Sequence, residues 1–122
     1  MKESVLKEKS YAFAIRIVRL SQFLQIEKKE YTLSRQVLRS GTAIGALITE
    51  SAFGESKSDF AHKLSISLKE AFETDYWLSL LKDTEYIDVR MYESISIDCV
   101  ELIKMLISSL KTVKKIKSIS PN

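Results

Sequence analysis

Apolar residues return every three or four positions along most of this chain, in four runs separated by short polar breaks. In the first run Phe13, Ala14, Ile17, Leu20, Ser21 and Leu24 share one face of a helix. The charged stretch Glu27-Lys28-Lys29-Glu30 has no apolar face and ends it. The pattern resumes near Tyr31 or Thr32, with Leu33, Val37, Gly41, Ile44, Ile48 and Ala52 on one stripe, and predicts an end around Gly54 as a left-handed C-cap. Ser56 or Ser58 is the N-cap of a third helix, with Asp59 where a carboxylate suits a helix start. Its stripe is Phe60, Leu64, Leu68, Ala71 and Leu78. After Asp83-Thr84-Glu85, and with Asp88 as cap, a fourth helix lines up Tyr92, Ile95, Cys99, Leu102, Ile103, Leu106, Leu110 and Val113.

Four amphipathic helices joined by short breaks predict an all-α fold, an antiparallel up-down-up-down four-helix bundle. Short connections leave no room for crossovers. The 122 residues make one domain, residues 1–122, with residues 117–122 as a frayed tail. Three glycines and a single proline support helix over strand, because a β-fold of this size recruits those residues to its turns.

Two helices carry a second apolar face. On the third, Lys63, Ile66, Glu70, Glu73, Trp77 and Leu81 lie away from Phe60 and Leu64; on the first, Tyr11, Ile15 and Val18 lie outside the core stripe. Such faces either cover a bundle edge or bury against a partner, and self-association is the favoured reading. On the second helix Arg35, Arg39, Thr42, Ala46 and Glu50 follow one line, beside the small residues Gly41, Ala43 and Gly45. Glycine costs about 1 kcal/mol against alanine inside a helix, so two of them imply close helix packing. Arg35 and Arg39 are one turn apart. They either pair with Glu70 or Glu73 of the neighbouring helix or grip phosphates.

Charge and chemistry narrow the function. The net charge is +3: +3 in residues 1–30 (seven basic, four acidic), zero in residues 31–56, −2 in residues 57–85 (four basic, six acidic) and +2 in residues 86–122, with no acid after Glu101. Lys111, Lys114, Lys115 and Lys117 either complement the last helix dipole or meet an anionic partner. The single histidine, His62, has no nucleophile-and-base pattern around it, and Glu70 and Glu73 lack the histidines of a bundle di-metal site. Cys99 lies on the most apolar stripe, where a thiol is inert core. No enzyme activity, metal or cofactor is expected. No signal peptide and no membrane-spanning run is seen, so the expected place is the cytoplasm.

The combination Arg35-Gln36, Leu38 to Thr42, Ile44-Gly45, Glu50, Ser56, Asp59-Phe60, Lys63-Leu64, Lys69 to Ala71, Glu73-Thr74 and Tyr76 to Leu78 resembles the 23S ribosomal RNA intervening-sequence protein family. The resemblance covers the middle two helices closely, and the flanking helices agree in length and pattern. It implies a four-helix bundle assembled as a homo-oligomeric ring, a pentamer. Members are similar to the barrel-shaped accessory protein of diversity-generating retroelements, which implies nucleic-acid binding through a basic surface. This chain has Ala43 and Leu47 where the family usually has Ser and Asn, a change that suits packing more than ligand binding.

The expected function is therefore a non-enzymatic homo-oligomer that binds RNA or DNA electrostatically, without reading bases. Its candidate contacts are Arg16, Arg19, Arg35, Arg39 and the tail lysines Lys111, Lys114, Lys115 and Lys117. The candidate oligomer or partner interface is Tyr11, Ile15, Val18, Ile66, Glu70, Glu73 and Trp77. The alternative is a protein-interaction scaffold that holds a partner enzyme through the Trp77 face.

Overall fold

A computed structural model describes the backbone of residues 2–119 and the side chains of residues 4–114. Its elements are α1 (Lys2–Ile26), α2 (Leu33–Ser51), α3 (Lys57–Asp83) and α4 (Val89–Ile119), and no strand occurs among the described residues. Each helix packs on its neighbours in the chain and α4 returns to α1, while α1 and α3, like α2 and α4, stand diagonally apart. This is the antiparallel four-helix bundle that the periodicity predicts.

The core is built from the expected stripes: Phe13, Ile17, Leu20 and Leu24 of α1, Val37, Ile44 and Ile48 of α2, Leu64, Ala71 and Leu78 of α3, and Ile95, Cys99, Leu102, Ile103 and Leu106 of α4. Leu6 extends α1's stripe by two turns, and Ile87 plugs the core from the α3–α4 connection. Two expectations are corrected. Leu81 is fully buried rather than part of an outer face, because the inner stripe of α3 drifts sideways over its length. Ala52 is exposed, because α2 ends one residue earlier.

Helix ends follow side-chain chemistry at the starts and backbone geometry at the stops. The Ser56 hydroxyl accepts a hydrogen bond from the Asp59 N–H (3.1 Å), and Asp88 accepts one from the Met91 N–H (2.8 Å). Gly54 is not a left-handed cap: no glycine has positive φ. The left-handed positions are Lys29 (φ 54°) and Glu85 (φ 67°), just past α1 and α3. At the second, the Tyr86 N–H returns to the Leu81 carbonyl (2.9 Å) and closes the helix end.

Small and hydroxylated residues let α2 sit close to both neighbours. Ser21 donates to the Ser34 carbonyl (3.3 Å) and Ser67 to the Ile44 carbonyl (2.9 Å), while Thr74 Oγ1 lies 2.9 Å from Ser40 Oγ. Among the described residues every buried side-chain polar atom has a partner.

The contacts also set the level of α4. Lys9 meets Glu101 (2.8 Å) and Arg16 meets Asp98 (2.8 Å) in antiparallel register. The start of α1 at Lys2 is thus level with roughly residue 108, and α4 continues to Ile119. At 1.5 Å per residue its last turns overhang α1 by about 15 Å.

Candidate nucleic-acid interface

The basic residues divide by whether an acid already holds them. Arg16 is engaged between α1 and α4: Nη1 donates to Asp98 (2.8 Å) and to the Ser94 carbonyl (3.0 Å), and Nη2 to Ser94 Oγ (2.7 Å). Arg39 is likewise engaged between α2 and α3, bonded to Glu70 (3.1 Å) and to Glu73, although half of its side chain remains exposed. Glu73 also accepts from Trp77 Nε1 (2.9 Å). That bond, with help from Arg39, holds the Glu73 carboxyl below the usual carboxylate range against the opposing effect of burial. The same pair of glutamates raises Arg39, Glu73 first.

Arg19 and Arg35 are exposed and form no ion pair with a described residue. Lys111 and Lys114 are exposed on the overhanging part of α4, also without an acid among the described residues. The side chains of Lys115 and Lys117 lie outside the described residues, as do residues 120–122 of the expected frayed tail. The six candidate cations whose side chains are described thus do not converge on one patch. Two of them tie helices together, and Lys111 and Lys114 stand together at one end.

The apolar candidates also separate. Tyr11, Ile15 and Val18 are exposed along α1, Tyr11 by 70%. Ile66, Glu70 and Glu73 are half-buried. Trp77 packs on the core edge beside Tyr76, their rings edge-on at 5.0 Å. Sequence reasoning passed over a second exposed set: Phe72 and Tyr76 on α3, and Ile97 and Val100 on α4. Its only signal was the one-turn spacing of Phe72 and Tyr76 between the two stripes assigned to α3.

His62 is exposed and Cys99 fully buried, with its thiol pushed up to about 12 by burial, then by Asp75 and Asp98. Among the described residues no three His, Cys, Asp or Glu side chains are grouped to hold a metal ion, and no helix is long and apolar enough to cross a membrane.

With this geometry in hand, comparison with known proteins is informative. Residues 2–108 match the sequence profile of a family described as 23S rRNA-intervening sequence protein. A solved structure from Bacteroides thetaiotaomicron VPI-5482, a protein with unknown function from the S23 ribosomal protein family, is 55% identical and superposes with a TM-score of 0.90. The match covers 91% of this chain and 99% of that one. No curated protein matches the chain.

Proposed function

Since the chain belongs to the 23S rRNA-intervening sequence protein family, we propose that it is a non-enzymatic, homo-oligomeric bundle that binds RNA or DNA in the cytoplasm. Contact is made through phosphates, by the basic end of α4. One observation carries this reading: Lys111 and Lys114 are exposed on α4 past the level where α1 begins, they form no ion pair with a described residue, and no acid follows Glu101 in the sequence. A cationic projection of this kind approaches a phosphate backbone without first breaking an internal ion pair. Arg16 and Arg39 would have to leave Asp98, Glu70 and Glu73 to do the same.

Assembly into a ring multiplies that charge, because each copy adds the same projection. Binding of this type depends on counterion release and weakens steeply with salt.

The test is fluorescence anisotropy with a structured RNA and a DNA duplex, at low and at physiological salt. A steep salt dependence is expected, together with a loss of about tenfold or more in affinity for Lys111→Glu/Lys114→Glu. Absence of binding at low salt would overturn the reading. Unchanged affinity in the double variant would remove the α4 end from it.

A further inference from the structure

Two bare apolar faces lie on opposite sides of this bundle. The first runs along α1, where Tyr11 is 70% exposed and Ile15 and Val18 about 40%. Val18 stands one turn from Ser21, which touches α2, so this face looks out over the α1–α2 side. The second straddles α3 and α4. Phe72 and Tyr76 step back along α3 from Ser79, whose hydroxyl lies 3.4 Å from Tyr92 Oη, and Val100 lies two turns on from Tyr92. Ile97, 68% exposed, continues the face outward.

The faces match in height. The Lys9–Glu101 and Arg16–Asp98 contacts put Ile15 level with about residue 97 of α4 and Tyr11 with about residue 101. The Cys99 thiol, 3.4 Å from the Ala71 carbonyl, brings Phe72 to that same level. They also match in charge. Arg35 stands at one end of the first face with no ion pair to a described residue, held level with the last turns of α1 by the Ser21–Ser34 contact. Glu93 stands exposed at the same end of the second face, with no ion pair to a described residue.

From these matches we propose that the two faces are the two halves of one contact between copies of this chain. The α1 face of one copy packs on the α3–α4 face of the next, side by side and without axial shift, with Arg35 facing Glu93. The inference rests on the homo-oligomer proposed above and names the surfaces that form it. A two-fold pairing of either face with itself covers only that face and leaves the other in water. The head-to-tail contact covers both at once, and repetition about an axis along the helices closes it into a ring. Exposed apolar surface of this extent on both sides of a small domain is what such an interface removes from water.

Cysteine cross-linking tests the contact directly, because the native Cys99 is fully buried and stays out of the reaction. Ile15→Cys/Phe72→Cys, treated with a short bis-maleimide, is expected to give a ladder of linked copies, whereas either single variant gives none. Intramolecular linkage is not a competing product, since α1 and α3 do not touch. Linked dimers from Ile15→Cys alone would mean α1 pairs with itself and would overturn the proposal.

A second measurement guards against a folding defect in those variants. Arg35→Glu is expected to weaken assembly about tenfold in sedimentation, and Arg35→Glu/Glu93→Arg to restore it. An oligomer indifferent to these changes and to Ile15→Asp would overturn the named surfaces while leaving the homo-oligomer standing. A wild-type monomer at tens of micromolar would overturn both.

Discussion

Ile17 of α1 lies directly against the backbone of Gly41 in α2: a Cβ placed on Gly41 would sit 2.7 Å from Ile17 Cγ2 and 2.8 Å from Cγ1. Ile17 is fully buried and β-branched, so it has no easy rotamer to retreat to. Overpacking of this kind costs about 1–3 kcal/mol, against a gain of about 1 kcal/mol from replacing a helical glycine. Gly41→Ala should therefore lower stability in urea unfolding. Combined with Ile17→Val, whose smaller side chain relieves the clash, it should lose less than the two single changes together.

The hydroxyls of Ser40 and Thr74 bridge α2 and α3 at 2.9 Å in a fully buried position, and Thr74 Oγ1 also reaches the Glu70 carbonyl at 2.8 Å. Thr74→Val keeps the shape and removes the hydroxyl, which leaves Ser40 Oγ buried without this partner, at a cost of about 1–3 kcal/mol. Ser40→Ala/Thr74→Val removes both groups and should recover part of that loss. A double-mutant cycle by chemical denaturation measures the coupling.

Glu73 links pH to the α2–α3 seam. Its folded pKa is depressed, so its contribution to stability is present above the ordinary carboxylate value and is lost as pH falls through the lowered one. Both Arg39 and Glu73 are partly solvated, which keeps the contribution below about 1 kcal/mol. Trp77 is the single tryptophan and donates to Glu73, so its emission should change as the solution is acidified from neutral pH past the carboxylate range. In Glu73→Gln that step should vanish.

Cys99 should be unreactive in the native protein. Its thiol is fully buried and pushed up to about 12, which removes the thiolate needed for attack at pH 8. Labelling by an aromatic disulfide reagent should proceed only at the rate of opening and become immediate in denaturant. Rapid native labelling would mean that α3 and α4 part readily.

Periodicity made the bundle readable because each helix buries a stripe of large aliphatic residues, and Phe13, Ile44, Leu78 and Leu102 are all where that stripe requires them. It failed where the determinant was not hydrophobicity. Lys29 and Glu85 hold the left-handed turns, and no residue preference points to them over Gly54. Ser34, Ser40, Ser67 and Thr74 are buried because the Gln25 amide, backbone carbonyls and each other's hydroxyls satisfy them, a fact that depends on the neighbouring helix. The basic residues show the same limit. Arg39 had Glu70 and Glu73 named as partners in advance, but Arg16 and Asp98 are 82 positions apart and only the α1–α4 register joins them.

The overhang of α4 has a consequence for dynamics. Its last turns run past the start of α1 and, beyond roughly residue 113, past the start of α3 as well, so the amide protons there are guarded mainly by the local helix–coil equilibrium and hardly by tertiary packing. They should exchange with deuterium orders of magnitude faster than the amides around Leu102 and Leu106 in the core. A bound phosphate chain that quietens Lys111 and Lys114 would slow that exchange without altering the bundle. The projecting turns thus act as an isotopic gauge of occupancy built into the chain.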